Sequence, residues 1–404
     1  MTTEAVQVDV HIFGTLLPEG GKRDLCVRVS PELSIALKEI EQRLAVRLGD
    51  RLDRDVIVLV NGRRVLGDFS GWTLKEGDTV VLVPPLGGGF GPGRRSSFRP
   101  EGVYVALLTP FNNDGRVDVG AVRDIVEFAV SRGVAGIFPV SSVGEFIHLG
   151  GQERARLIEA VVDQCRGRVP VAAGVADTTP AAVIGHASVA QRLGCDAVVI
   201  CPPYYFRPSE EQVEKHFEVV ADALPELPII LYNIPSFTVP LGYDTVKRLS
   251  RRPNIVGMKD SSGSMVDMMH FMDKVRIAGA EFNVLTGRED MLFPALVAGA
   301  AGCMVASAGI VPELITKIWD YTKNGNFDEA RSAQVSILQL VRAMFALPFP
   351  VGFKAALEIR GFRVGALQQP LSNAEQYLAS GVKARINKLL YALAESYGFE
   401  VRVS

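Results

Sequence analysis

The sequence predicts an α/β protein: a (β/α)8 TIM barrel with a C-terminal helical extension, preceded by a small α+β domain. Three observations lead there. Eight short apolar runs, at 103–108, 134–140, 169–175, 197–200, 229–232, 255–259, 283–286 and 303–305, recur about every 30 residues, with amphipathic helical patterns between them. Continuous Val/Ile/Leu runs of this kind are parallel strands buried on both faces. Second, Leu86 to Pro100 holds five glycines, two prolines and three arginines in fifteen residues, too many breakers for a periodic element. Third, 404 residues at about 150 per domain leave room for two or three domains.

The expected division is 1–86 for the first domain, 87–101 for a Gly/Pro/Arg linker, and 102–404 for the barrel with its helices. A linker of that length spans about 20 Å root-mean-square if flexible. In the first domain Val6, Val8, Val10 and Ile12 alternate with Gln7, Asp9 and His11, the period of a half-buried strand. Leu25, Val27 and Val29 repeat the pattern. Ser30-Pro31 predicts a helix start, followed by the apolar stripe Leu33, Leu37, Ile40, Leu44 and Leu48. The run 56–60, the turn Asn61-Gly62 and Val65 predict a hairpin, and 78–83 a last strand. Two strands, a helix and a further hairpin is the order of a ubiquitin-like β-grasp.

In the barrel, Val122, Ile125, Val126, Phe128 and Ala129 mark one helix, and Ala181, Val183, Ile184, Ala187, Val189 and Ala190 another. No G-x-G-x-x-G follows the first run, which separates this pattern from an open dinucleotide-binding sheet. About 90 residues lie beyond the eighth run, with a helix predicted over 374–397. Lys+Arg is 43 and Asp+Glu 45, so no broad basic surface awaits nucleic acid. No apolar run reaches a membrane span, and MTTEAVQVDV lacks the features of a signal peptide, so a cytoplasmic location is expected. Five scattered cysteines and five isolated histidines make neither a disulfide frame nor a metal site.

Chemistry in such barrels sits at the C-terminal strand ends. Those ends carry Ser141-Ser142-Val143-Gly144-Glu145, Cys201-Pro202-Pro203-Tyr204-Tyr205, Tyr232-Asn233-Ile234-Pro235, Gly257-Met258-Lys259-Asp260 and Gly302-Cys303-Met304-Val305. Strand alternation puts Ile255, Gly257 and Lys259 on one face, so Lys259 ends an inward row behind a glycine that leaves it space. An amine there can attack a ketone to form a Schiff base. Tyr232 ends the preceding strand, inward with Ile230, where a phenol can carry protons for an imine. Ser141 to Gly144 offers hydroxyls and backbone N–H groups entering a helix, suited to a carboxylate.

Residues 102–404 resemble the dihydrodipicolinate synthase / N-acetylneuraminate lyase family of pyruvate-type class I aldolases. The matching pieces are Leu108-Thr109-Pro110-Phe111, Ser142-Val143-Gly144-Glu145, Pro203-Tyr204-Tyr205, Tyr232-Asn233-Ile234-Pro235 and Gly257-Met258-Lys259-Asp260. The resemblance implies Lys259 as the Schiff-base lysine, Tyr232 as acid/base and Ser142 as the relay hydroxyl. It places Val143 and Met304 at the carboxylate and reacting end of a 2-oxo acid such as pyruvate, and Tyr205 at a neighbouring subunit's site. It further implies a homotetramer of tight dimers, with no metal or organic cofactor. The chain departs from the family twice. Ser141 and Val143 replace the first glycine and second threonine of the usual Gly-[Thr/Ser]-Thr-Gly-Glu loop. Phe237 stands where true dihydrodipicolinate synthases place an arginine for the second substrate's carboxylate, and a phenyl ring cannot form that bidentate pair.

The expected activity is therefore aldol, retro-aldol or dehydratase chemistry on pyruvate or a 2-oxo-3-deoxy acid, with 4-hydroxy-tetrahydrodipicolinate synthase as an alternative. A second resemblance covers the first domain. The stretch 74–89, ending in Gly87-Gly88-Gly89, is similar to the end of a MoaD/ThiS-type sulfur carrier. In that family a terminal Gly-Gly is adenylated and converted to a thiocarboxylate. Here the chain continues through Phe90, so a carrier role requires cleavage after Gly88 or Gly89 and an adenylating or sulfur-transfer partner. The corresponding alternative is a cleavable carrier precursor in which the barrel is secondary.

Overall fold

The computed structural model describes residues 4–12, 24–44, 57–61, 63–65, 69, 71–83 and 98–401. Glycines 87–89 and most of the expected linker lie outside the described residues, as does Leu48.

The N-terminal unit comprises β1 (Val6–Ile12), β2 (Asp24–Val29), α1 (Leu33–Leu44), β3 (Ile57–Val60), β4 (Arg63–Val65) and β5 (Thr79–Val83). Its sheet runs β2-β1-β5-β3-β4. The central β1 and β5 are parallel, and the other neighbours are antiparallel. Val8, Val10, Val29, Val58, Val60, Val80 and Leu82 line one face, and Leu33, Ala36, Leu37 and Ile40 of α1 close over it. Alternate strand residues and the i, i+3, i+4, i+7 stripe thus share one core. The helix begins at Leu33, not at Pro31. Glu32 pairs with Thr73 in an isolated bridge, Leu33 N–H donates to Trp72 O and Leu74 N–H to Pro31 O, which holds 31–33 against the 72–74 segment.

The second unit is the parallel barrel. Its strands are β6 (Gly102–Ala106), β7 (Gly136–Phe138), β8 (Ala172–Gly174), β9 (Ala197–Ile200), β10 (Ile229–Asn233), β11 (Ile255–Asp260), β12 (Asn283–Thr286) and β13 (Gly302–Val305). Sequential strands pair, β13 returns to β6, and an Ile137–Val171 bridge joins β7 to β8. Each of the eight expected runs contains one strand or most of it. The second and third are shorter than their runs; β7 stops where Pro139 follows it and Val140 takes a positive φ of 56°.

Helices α2 (Val119–Val130), α3 (Gly151–Cys165), α4 (Pro180–Arg192), α5 (Glu210–Ala223), α6 (Tyr243–Leu249), α7 (Met265–Ala278) and α8 (Leu292–Val297) follow successive strands. Their starts are chemically marked. Asp118 accepts from Ala121 N–H, Thr179 from Ala182 N–H ahead of Pro180, and Ser209 closes a capping box with Gln212. Beyond β13 come α9 (Pro312–Lys323), α10 (Phe327–Met344), α11 (Val351–Ile359) and α12 (Asn373–Tyr397). The last begins one residue before its expected start, at a Ser372/Glu375 capping box. Among the described residues no helix is long and apolar enough to cross a membrane.

Candidate active site

A cavity of about 150 Å³ opens at the C-terminal strand ends. Lys259, Tyr232, Ser142, Val143 and Met304 all line it. Lys259 is only 4% exposed, which sets it apart from an ordinary solvated lysine at a strand end. Its Nζ lies 4.3 Å from the Tyr232 ring centroid and 5.1 Å from that of Phe138, and Phe138 meets Tyr232 edge to face. Strand register sets this pairing. Between Ile229 and Ile230 the β10/β11 register shifts, so that Tyr232 stands opposite Lys259 and Asn233 opposite Asp260.

Gly257 does not make the room for Lys259. A Cβ there would meet the Asn283 carbonyl at 2.7 Å and Pro100 at 2.9 Å, so its missing side chain admits those groups. The glycine that clears the lysine is Gly287, after β12: a Cβ on it would lie 2.5 Å from Lys259 Cε and 2.0 Å from Ser261 Oγ. The neighbouring strand, and not Lys259's own, supplies the space.

Behind the lysine, Asn233 and Asp260 fix the strand ends. Asn233 Nδ2 donates to Asp260 Oδ1 at 2.7 Å, and its Oδ1 accepts from Leu241 N–H at 3.0 Å. Burial raises the Asp260 carboxyl above its ordinary range, against the hydrogen bonds from Asn233 and Ser262.

The loop after β7 is held between two left-handed residues, Val140 at φ 56° and Glu145 at φ 58°. Strain of that kind, about 1–3 kcal/mol per residue, persists only where surrounding contacts impose it. Here Ser141 Oγ donates to Leu107 O and accepts from Gly144 N–H, while Thr109 Oγ1 donates to Gly144 O at 2.7 Å. Ser141 is thereby buried behind the cavity wall and anchors the loop, whereas the sequence suggested that it touches substrate. Glu145 N–H and Phe146 N–H close on Ser142 O and Ser141 O. The N–H groups of Ser142 and Val143 have no hydrogen-bond partner among the described residues. A short 3-10 turn, Phe146–His148, follows where a helix was expected, and α3 starts only at Gly151.

Glu145 forms a buried ion pair with Lys354 of α11, whose ammonium also lies 4.6 Å from the Phe111 ring centroid. Burial pushes Lys354 below its ordinary range, and Glu145 opposes that. Tyr205 stands apart from Lys259. It is 90% exposed, stacks edge-on with Phe206, and lines an adjacent cavity of about 320 Å³. Ser142, Ile234, Phe237 and Phe349 face both cavities.

Sequence reasoning passed over the end of β12. Gly287, Arg288 and Glu289 all line the Lys259 cavity. Glu289 is buried, accepts from Ser307 N–H at 3.2 Å, and has its carboxyl raised by burial against those hydrogen bonds and the pull of Lys259 and Arg288. The available signal was position, since these residues follow the seventh apolar run as Lys259 ends the sixth. Among the described residues no three His, Cys, Asp or Glu side chains converge as metal ligands.

Residues 99–389 match the model of the dihydrodipicolinate synthetase family. A 4-hydroxy-tetrahydrodipicolinate synthase of Pelobacter propionicus is 36% identical over 273 residues, 67% of this chain and 92% of that protein. One from Methanosphaerula palustris is 34% identical over 278 residues, covering 68% and 94%. Among solved structures, a dihydrodipicolinate synthase superposes with a TM-score of 0.67 at 33% identity, over 73% of this chain and 99% of that one. YagE, an E. coli K12 prophage protein of the dihydrodipicolinic acid synthase family solved with pyruvate, gives 0.68 at 29% identity, over 72% and 98%.

Proposed function

The chain belongs to the dihydrodipicolinate synthetase family and is a lyase of the class I aldolase type; from that premise we propose that it activates pyruvate, or a 2-oxo-3-deoxy acid, as a Schiff base on Lys259. The observation that carries the proposal is the buried Lys259 amine 4.3 Å from the Tyr232 ring centroid, both on one cavity wall.

In this reading the Lys259 nitrogen adds to the 2-oxo carbon, and water leaves with the former carbonyl oxygen. In cleavage the protonated imine draws electrons from the C3–C4 bond, and the enamine left behind takes a proton at C3. In the addition direction the imine draws them from a methyl C–H bond, whose proton leaves as the enamine forms. Tyr232 holds the proton exchanged with the substrate's oxygen, and Ser142 relays it. The unused N–H groups of Ser142 and Val143 receive the carboxylate, and Met304 packs at the reacting end. Water then hydrolyses the imine and returns the free lysine. Borohydride reduction in the presence of pyruvate is expected to add one reduced pyruvyl group to Lys259, read by peptide mass. An unmodified Lys259 would remove the Schiff-base reading.

Gly287→Ala tests the space made for the lysine. The new methyl group must displace Lys259 Cε or Ser261. Pyruvate trapping is expected to slow about 100-fold, since small misplacements at a reacting centre cost that much. A cooperative melt confirms the fold. Trapping at the wild-type rate would show that Gly287 is not needed.

A 4-hydroxy-tetrahydrodipicolinate synthase activity is the second reading, favoured by the names of the relatives. Phe237 weighs against it, because it lines the cavity where a cation for the second substrate's carboxylate would be needed. We further read 1–86 as a β-grasp domain of MoaD/ThiS type, 87–101 as a linker and 102–404 as the catalytic unit. The mixed sheet order β2-β1-β5-β3-β4 supports the first assignment. Intact mass of the protein from its host tests the carrier role: a fragment ending at Gly88 or Gly89 is required. The exposed Tyr205–Phe206 pair supports a tight dimer within a homotetramer, which sedimentation measures directly.

A further inference from the structure

The mouth of the Lys259 cavity is built from phenylalanine. Phe237, Phe345 and Phe349 are 55%, 42% and 40% exposed, although each lines the cavity. They form one surface. Phe237 meets Phe349 at 5.8 Å between ring centroids, Phe349 meets the buried Phe353 at 5.9 Å, and Phe353 meets Phe345 at 5.0 Å. The rings come from the loop after β10, the 345–350 segment after α10, and α11, so no local sequence pattern imposes their meeting. An exposed, contiguous apolar patch marks a binding surface, and this one is continuous with the Lys259 cavity.

Charge narrows the occupant. Among the described residues the cavity wall carries one cation besides Lys259, which is Arg288. Its Nε and Nη2 already donate to Asp290 at 3.2 and 3.1 Å, and its guanidinium lies 5.1 Å from the Phe345 ring centroid. That pair is neutral as a unit, so no uncommitted cation faces the aromatic wall. A co-substrate with a distal carboxylate would have to share the Arg288 guanidinium with Asp290, which already takes its Nε and Nη2.

We propose that the partner of the pyruvate-derived enamine is an uncharged aromatic aldehyde, its ring seated against Phe237, Phe345 and Phe349. The proposal rests on the Schiff-base reading above and adds the substrate class. The enamine carbon bonds to the aldehyde carbon, the aldehyde's π electrons move to its oxygen, and that oxygen takes a proton. Hydrolysis of the imine releases a 4-aryl-4-hydroxy-2-oxo acid. The reverse reaction returns pyruvate and the aldehyde.

The full chain, with pyruvate, is assayed against benzaldehyde, glyceraldehyde and succinic semialdehyde, reading product by chromatography. The expected result is a kcat/KM for benzaldehyde at least about 10-fold above either of the others, from ring contacts that only it makes. Phe237→Arg should move the ratio toward succinic semialdehyde by about 10-fold or more. A wild-type preference for glyceraldehyde or succinic semialdehyde, with pyruvate still trapped on Lys259, overturns the aromatic assignment alone. An unchanged ratio in a folded Phe237→Arg protein also overturns it. Failure of pyruvate to trap removes the Schiff-base reading and this proposal with it.

Discussion

Lys259→Ala is expected to fold and to lose turnover by at least about 10⁴-fold, the scale on which covalent nucleophiles act. The methyl group of alanine cannot attack a carbonyl, and among the described residues no other lysine faces the cavity. Lys354, also buried, is held by Glu145 and does not line it. Lys259→Arg should be equally inactive, because a guanidinium stays charged and forms no imine. Stability should change little in either variant, since the Lys259 side chain ends in a cavity and makes no ion pair among the described residues. Steady-state pyruvate release or consumption, with a thermal melt beside it, separates the two effects. Retained turnover in a folded Lys259→Ala protein would end the Schiff-base mechanism.

The largest expected effect on stability is at the Glu145–Lys354 pair. Removing one partner of a buried ion pair leaves the other charge without compensation, at a cost of about 3–5 kcal/mol. Lys354→Met should show that loss in denaturant unfolding. Because Glu145 bounds the Ser142–Val143 loop, pyruvate KM should rise as well. Adding Glu145→Gln to Lys354→Met removes the orphaned carboxylate and should recover part of the stability. A double variant less stable than Lys354→Met would show that the charge is not what makes the single change costly. A single variant with unchanged stability would show that the pair contributes nothing.

Much of the barrel was legible because its physics is local. Strands buried on both faces are continuous apolar runs, and helices announce themselves through caps such as Thr179-Pro180 and Ser209 with Gln212. Lys259 and Tyr232 stood out for the same reason, as polar residues ending inward rows. The aromatic wall and the Glu145–Lys354 pair had no such signal. Their members lie far apart in the chain, and each looks unremarkable among its own neighbours.

The inward alternation of β11 was also readable, but its alignment with β10 was not. Had Ile229 and Ile255 continued in step, Tyr232 would face Met258, and Asn233 would face Lys259. The shift after Ile229 instead sets Tyr232 beside the lysine. A displacement of one residue exchanges the two faces of a strand, and nothing in a single strand's sequence encodes its neighbour's register.

By itself, then, the sequence determined the order of elements in a mixed sheet and a parallel barrel, and which polar residue types stand at the strand ends. Those follow from periodicity and from residue chemistry, which act over a few positions. Only the tertiary structure decided that Gly287 and not Gly257 clears Lys259, that Ser141 anchors a loop, and that four phenylalanines share one wall. Those depend on volume shared between segments distant in sequence, and close packing settles such questions only once the chain has folded.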